Sequence, residues 1–190
     1  MERKFANHKS LFIKGMLCNC CKRLLELVFE KEHIEYLKID SGRIDFPANA
    51  DLQKIGKLIN GNGLQVIEDK NLQIVEQIKI AVIELIHYAN NSNSIIRNSD
   101  YLVGKTGISY PQLSSLFSEY EGITLEKFII EHKIEKTKEL LQEEEYTLSE
   151  ISYQMGYSSV QYLSNQFKKI TGMTVSEWRK VGDGYRNGSL

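Results

Sequence analysis

The sequence predicts an α+β protein in two parts, a small βαββαβ unit followed by an all-helical half. Three observations carry that prediction. Short alternating apolar runs separated by turn signals crowd the first seventy residues, whereas apolar residues spaced by three and four dominate the rest. A glycine-hinged helix pair occurs twice in the second half. Only 2 prolines occur in 190 residues, so little interrupts long helices.

The elements follow in order. Residues 10–16, SLFIKGM, read as a strand, and after the cysteines Leu24, Leu25, Val28 and Phe29 recur at helical spacing. Tyr36, Leu37 and Ile39 lie in an extended stretch, Asp40-Ser41-Gly42 is a turn signal, and Ile44 with Phe46 forms the return strand of a hairpin. Asp51 opens a short helix marked by Leu52, Ile55 and Ile59. Asn60-Gly61-Asn62-Gly63 closes it, and Leu64 with Val66 begins the last strand. This order over residues 1–70 is that of a ferredoxin-like split βαβ unit.

A connecting segment spans residues 71–93. Val75, Ile78, Val82, Leu85 and Ala89 step by three and four along one helix from Asn71 to about Asn90, while Ile74, Ile80, Ile83 and Ile86 occupy its other side. Such a helix needs cover on more than one face, from the helical core that follows or from a second chain in a homodimer. The tract Asn90-Asn91-Ser92-Asn93-Ser94 reads as a break.

Residues 94–190 contain the duplication. LVGKTGISYPQLSSLFSEYEGITLEKF (102–128) matches ISYQMGYSSVQYLSNQFKKITGMTVSEW (151–178): Gly107 answers to Gly156, and Leu113, Ser114, Phe117, Gly122 and Thr124 answer to Leu163, Ser164, Phe167, Gly172 and Thr174. Each copy reads as a helix, a glycine turn and a second helix, the helix-turn-helix pattern. Leu113, Leu116, Phe117, Leu163 and Phe167 hold the second helices to a core, which leaves their outer edges free for a major groove. A linker helix over Leu125–Gln142, with Ile130, Ile134, Thr137 and Leu141 on one stripe, joins the copies. Thr147 and Glu150 form a capping-box pattern before the second copy.

Composition bounds the function. Hydrophobic content of 42% and charged content of 26% exclude a disordered chain. A net charge of −1 gives no global basic signature, so any nucleic-acid contact rests on local clusters. No run of 18 apolar residues occurs and the amino terminus lacks a signal-peptide core, which predicts a cytoplasmic protein with no membrane partner. In that reducing compartment clustered cysteines favour a metal or redox site over a structural disulfide. His8, His33, His87 and His132 are scattered, no catalytic triad is apparent, and an enzyme is not expected.

Two resemblances sharpen these expectations. Ser10–Asp69 resembles a heavy-metal-associated domain, because Gly15, Met16, Cys18 and Cys21 match the signature Gly-Met-x-Cys-x-x-Cys between the first strand and first helix. The resemblance implies Cys18 and Cys21 as metal ligands, Met16 packed inward, and Cys20 as a third candidate outside the pattern. Soft thiolates select Cu(I) or Zn, and the helix N-terminus with Lys22 and Arg23 offsets thiolate charge.

Residues 76–180 resemble the DNA-binding domain of AraC-type transcription regulators, most strongly over the second copy. That likeness implies double-stranded DNA as partner. Base-facing positions become Pro111, Ser114 and Ser115, with Gln112 adjacent, and Val160, Gln161 and Asn165, with Ser164 adjacent. Gln161 and Asn165 suit adenine and Val160 a thymine methyl, while Lys168 and Lys169 are placed for phosphates. Positions 111, 114 and 115 lack long donors and Glu119 and Glu121 are acidic, so the second unit is expected to do most sequence reading.

The leading expectation is a sequence-specific transcription regulator responsive to a thiophilic metal. The alternatives are a metallochaperone or metal buffer with a helical protein-interaction half, and a thiol-disulfide oxidoreductase using Cys18 and Cys21.

Overall fold

A computed structural model describes residues 8–88, 98–143 and 145–186, in two compact units divided after Ile80. The break expected at Asn90–Ser94 and Glu144 of the acidic turn lie outside the described residues.

The first unit runs β1 (His8–Lys14), α1 (Asn19–Lys31), β2 (Lys38–Asp40), β3 (Arg43–Pro47), α2 (Leu52–Gly61), β4 (Gln65–Ile67) and most of α3 (Lys70–Ile83). Its four strands form one sheet in the order β2-β3-β1-β4, every neighbouring pair antiparallel. Alternation along β3 buries Ile44 and Phe46 and leaves Arg43 and Asp45 on the other face, as the period of two requires. Leu25 and Phe29 of α1 and Ile55 and Ile59 of α2 close over the apolar side with Ile13 and Met16. Phe29 meets Phe46 edge-on at 5.7 Å between ring centroids.

Two boundaries differ from the sequence reading. The first strand begins at His8 and ends at Lys14, because His8 and Lys9 pair with Pro47 and Phe46, while Gly15 turns the chain with φ of 67°. Leu64 precedes β4, held in the turn by its N–H donating to the Ile59 carbonyl at 3.4 Å. Asp51 caps α2 as expected, accepting from the N–H groups of Gln53 and Lys54 at 3.1 Å.

The second unit contains the end of α3, a π-helical turn (Glu84–Tyr88), α4 (Asn98–Thr106), α5 (Tyr110–Glu121), α6 (Leu125–Glu143), α7 (Leu148–Gln154), α8 (Val160–Thr171) and α9 (Val175–Arg186). The connecting segment is thus an α-helix that changes to a π turn after Ile83, instead of one continuous α-helix. The unit boundary falls inside α3, within the connecting segment read over residues 71–93. The buried positions Leu125, Ile129, Ile134, Thr137, Leu140 and Leu141 form the inward face of α6, whereas Ile130 is only half-buried. Thr137, fully buried, donates its hydroxyl to the Lys133 carbonyl at 2.8 Å and so leaves no unpaired polar atom.

Among the described residues, no helix is long and apolar enough to cross a membrane.

Candidate nucleic-acid interface and cysteine loop

The duplicated sequence folds into duplicated geometry. Leu102, Leu113 and Phe117 of one helix pair and Ile151, Leu163 and Phe167 of the other are all 0% exposed. Gly107 and Gly156, which hinge the pairs, both adopt φ of 69°, a left-handed conformation that costs an L side chain about 1–2 kcal/mol. The one-residue offset between the copies lies in the turn: α5 starts three residues after Gly107, α8 four after Gly156. Both second helices then end at left-handed glycines, Gly122 and Gly172.

Helix starts are equally specified. Ser159 accepts the Tyr162 N–H at 3.1 Å at the head of α8, and Thr147 and Glu150 form the expected capping box. Thr174 and Glu177 repeat it before α9, the Thr174 N–H donating to Glu177 Oε2 at 2.6 Å and the Glu177 N–H to Thr174 Oγ1 at 3.2 Å. Thr-x-x-Glu was legible there too. Backbone donation from Thr174 holds the Glu177 carboxyl below the usual range, with Lys168 and Lys180 adding to the effect.

With Leu163 and Phe167 anchoring one side of α8, the other carries Gln161, Asn165, Lys168 and Lys169, all exposed. Gln161 Nε2 donates to Asn165 Oδ1 at 2.9 Å across one helical turn. Val160 and Ser164 are half-buried beside them. Arg179 and Lys180 of α9 are exposed as well. On α5, Pro111, Gln112 and Ser115 are exposed and Ser114 is half-buried, its carbonyl accepting the Ser118 hydroxyl at 2.8 Å. Gln112 is tied back to Ser109, whose hydroxyl donates to it at 2.7 Å. The edge of α5 thus carries no cation and ends in Glu119 and Glu121, where that of α8 ends in two lysines.

Residues 102–181 match the family model described as "Helix-turn-helix domain". The chain is 33% identical over 118 residues to the xylose operon regulatory protein of Escherichia coli K12, a match covering 62% of this chain and 30% of that protein. It is 34% identical over 71 residues to the HTH-type transcriptional activator RhaR of Salmonella arizonae, covering 37% of this chain and 25% of that protein. Over residues 102–181 the helical half is similar to helix-turn-helix domains of transcription regulators. A crystal structure of an AraC-type regulator from Chromobacterium violaceum is similar at a TM-score of 0.46 and 22% identity, over 55% of this chain and 91% of that one. The chain spans about 30% of the length of the xylose regulator it matches. These relatives carry the names of transcription regulators and not of enzymes.

Within the second unit a cavity of about 260 Å³ lies against α6 and α8, lined by residues that include Tyr110, Lys133, Tyr157 and Tyr162. Burial lowers the Lys133 pKa, and its Nζ sits 5.4 Å from the Tyr157 ring centroid. Burial also pushes the Tyr157 phenol up to about 12. Close by in sequence, His132 Nδ1 lies 3.4 Å from His87 Nε2, and burial lowers both imidazoles despite Glu139 at 3.6 Å from His87. Sequence spacing, which left the histidines scattered, does not reveal this pair because 45 residues separate them.

The cysteine loop belongs to the first unit. Cys18 is the N-cap of α1, its sulfur accepting the Cys21 N–H at 3.4 Å and lying 3.1 Å from Cys21 Sγ. Cys18 and Cys20 are joined as a disulfide, and Cys21 is free. One helical turn brings all three sulfurs within 4.8 Å of one another. Met16 is fully buried. Sequence alone does not mark Glu76, 2% exposed, whose Oε1 accepts the Gly15 N–H at 2.6 Å.

Proposed function

We propose that the chain is a sequence-specific DNA-binding transcription regulator whose α5 and α8 enter successive major grooves of one duplex, with α8 the principal reader. The observation that carries this reading is the outer edge of α8: two amide side chains followed by two lysines, all exposed, above a wholly buried Leu163 and Phe167. Amide groups donate and accept together at adenine, and the lysines meet phosphates without regard to sequence. The names of the regulators it resembles support the same assignment.

The βαββαβ unit is proposed as a ferredoxin-like, heavy-metal-associated module in which Cys18 and Cys21 hold a thiophilic ion such as Cu(I). The donor set fits: two sulfurs 3.1 Å apart at a helix N-terminus offer soft, anionic ligands once reduced. Ion binding then alters operator affinity by the difference in ion affinity between the free and DNA-bound protein.

Site selection from random duplexes, with and without Cu(I), tests both halves. An enriched motif whose affinity falls steeply with salt is expected, because phosphate contacts release counterions. Failure to enrich any duplex would overturn the DNA reading and favour a metal buffer. An identical motif and affinity with and without Cu(I) would remove the metal as effector.

A further inference from the structure

The cysteine loop offers more than a two-sulfur pair. Cys18, Cys20 and Cys21 present their sulfurs from the N-cap and first turn of α1, all within 4.8 Å of one another. A centre bound by three thiolates at about 2.3 Å needs sulfurs about 3.5 Å apart when pyramidal, as with a lone-pair-bearing trivalent centre, and about 4 Å apart when planar. The Cys18 and Cys21 sulfurs are 3.1 Å apart and Cys20 is bonded to Cys18, so opening that bond and a rotamer change at each cysteine set the three sulfurs at the spacing required.

The loop is also built to hold its shape. Buried Glu76 accepts the Gly15 N–H on one flank at 2.6 Å, and its other oxygen faces Lys79 at 3.2 Å. The Gly42 N–H donates to the Met16 carbonyl at 3.0 Å, and the Gly42 carbonyl accepts from Ile13 at 2.9 Å. Met16 itself is fixed in the core. These contacts fix the backbone that leads into the cysteines, the role that contacts outside the ligands themselves play at metal sites.

We infer that Cys20 is a third ligand, and that the reduced loop is a three-thiolate site for a thiophilic ion of charge +2 or +3, trivalent arsenic being the best match. This deepens the reading of Cys18 and Cys21 as a soft-ion pair and rests on it. Charge decides the class. Three thiolates leave Cu(I) with a net charge of −2 beside the half-buried Cys18 and Cys21, whereas a trivalent centre is neutral there; Cys20 itself is exposed.

The chemistry balances. A dithiol reductant supplies two electrons and two protons to open the Cys18–Cys20 bond, giving three thiols. Arsenous acid then exchanges its three hydroxyl groups: three As–S bonds form, three As–O bonds break, and the thiol protons leave with the hydroxides as three waters.

The test uses the full chain, reduced, with inorganic arsenite as probe. X-ray absorption of the wild type is expected to show three sulfur neighbours per arsenic, and of Cys20→Ser two. Outer-shell losses alone cost about 10–100-fold in affinity, so Cys20→Ser should lose at least about 100-fold for arsenite while its Cu(I) uptake stays near wild type. Glu76→Leu should weaken arsenite binding about 10–100-fold with the sulfur count unchanged, and Glu76→Gln, which keeps an acceptor for Gly15, should restore it. Two sulfurs per arsenic in the wild type, or arsenite affinity unchanged in Cys20→Ser, would overturn the third-ligand assignment alone. Equal Cu(I) and arsenite uptake by wild type and Cys18→Ser/Cys21→Ser would overturn the underlying pair as well.

Discussion

At the scale of single residues, the DNA-binding function proposed above divides the work of the α8 edge between amides and ammoniums. Gln161→Ala should lower discrimination at one operator position by about 1–3 kcal/mol while leaving binding to unrelated duplexes nearly intact. Lys168→Ala should weaken all duplexes alike and reduce the salt slope by about one. Mobility shifts over a salt series separate the two, and the opposite assignment of effects would show α8 rotated from the reading above. The buried imidazoles give a second residue-level expectation. Burial keeps His87 and His132 below the ordinary value of about 6.5, so near that pH the unfolded chain binds more protons than the folded one. Stability therefore falls as pH drops through about 6.5. Thermal unfolding between about pH 7.5 and about pH 5.5 should show that slope, and His132→Gln should flatten it; an unchanged slope would reject the pair as its source.

Among the elements, the helix pairs behave as copies of one construction. Gly107→Ala and Gly156→Ala should each destabilise by about 1–2 kcal/mol, since both hinges are left-handed. Phe117→Ala and Phe167→Ala should each cost about 3–5 kcal/mol, as both rings are fully buried. Denaturant melts of the four variants check the symmetry, which fails if one copy tolerates what the other does not. The pattern was readable because a repeated apolar spacing with a repeated glycine is a local signal: Leu113 and Phe117 announce Leu163 and Phe167. The β2–β3 hairpin of the first unit was legible for a similar reason, Ile44 and Phe46 alternating along its return strand. What escaped was set by partners distant in sequence. His8 and Lys9 join a strand only because Pro47 and Phe46 lie opposite, and Glu76 faces Gly15 across 61 positions. The π turn after Ile83 escaped because a wider turn absorbs one extra residue without disturbing the apolar spacing that marks a helix.

For the whole molecule, each unit has its own core. Phe29→Ala should raise amide hydrogen exchange across residues 8–80, and Phe117→Ala across 98–143 and 145–186, each chiefly in its own unit. Uniform loosening of the entire chain by either substitution would contradict two separate cores. One element has no such simple allegiance. Ile80, Ala81 and Val82 sit consecutively on α3, at 7%, 3% and 1% exposure, while the division between units falls after the first of them. A polypeptide shortened at that division would therefore be cut through a sheathed greasy rod, and either fragment would inherit a sticky stump that invites precipitation unless the severed turns were rewritten with soluble side chains.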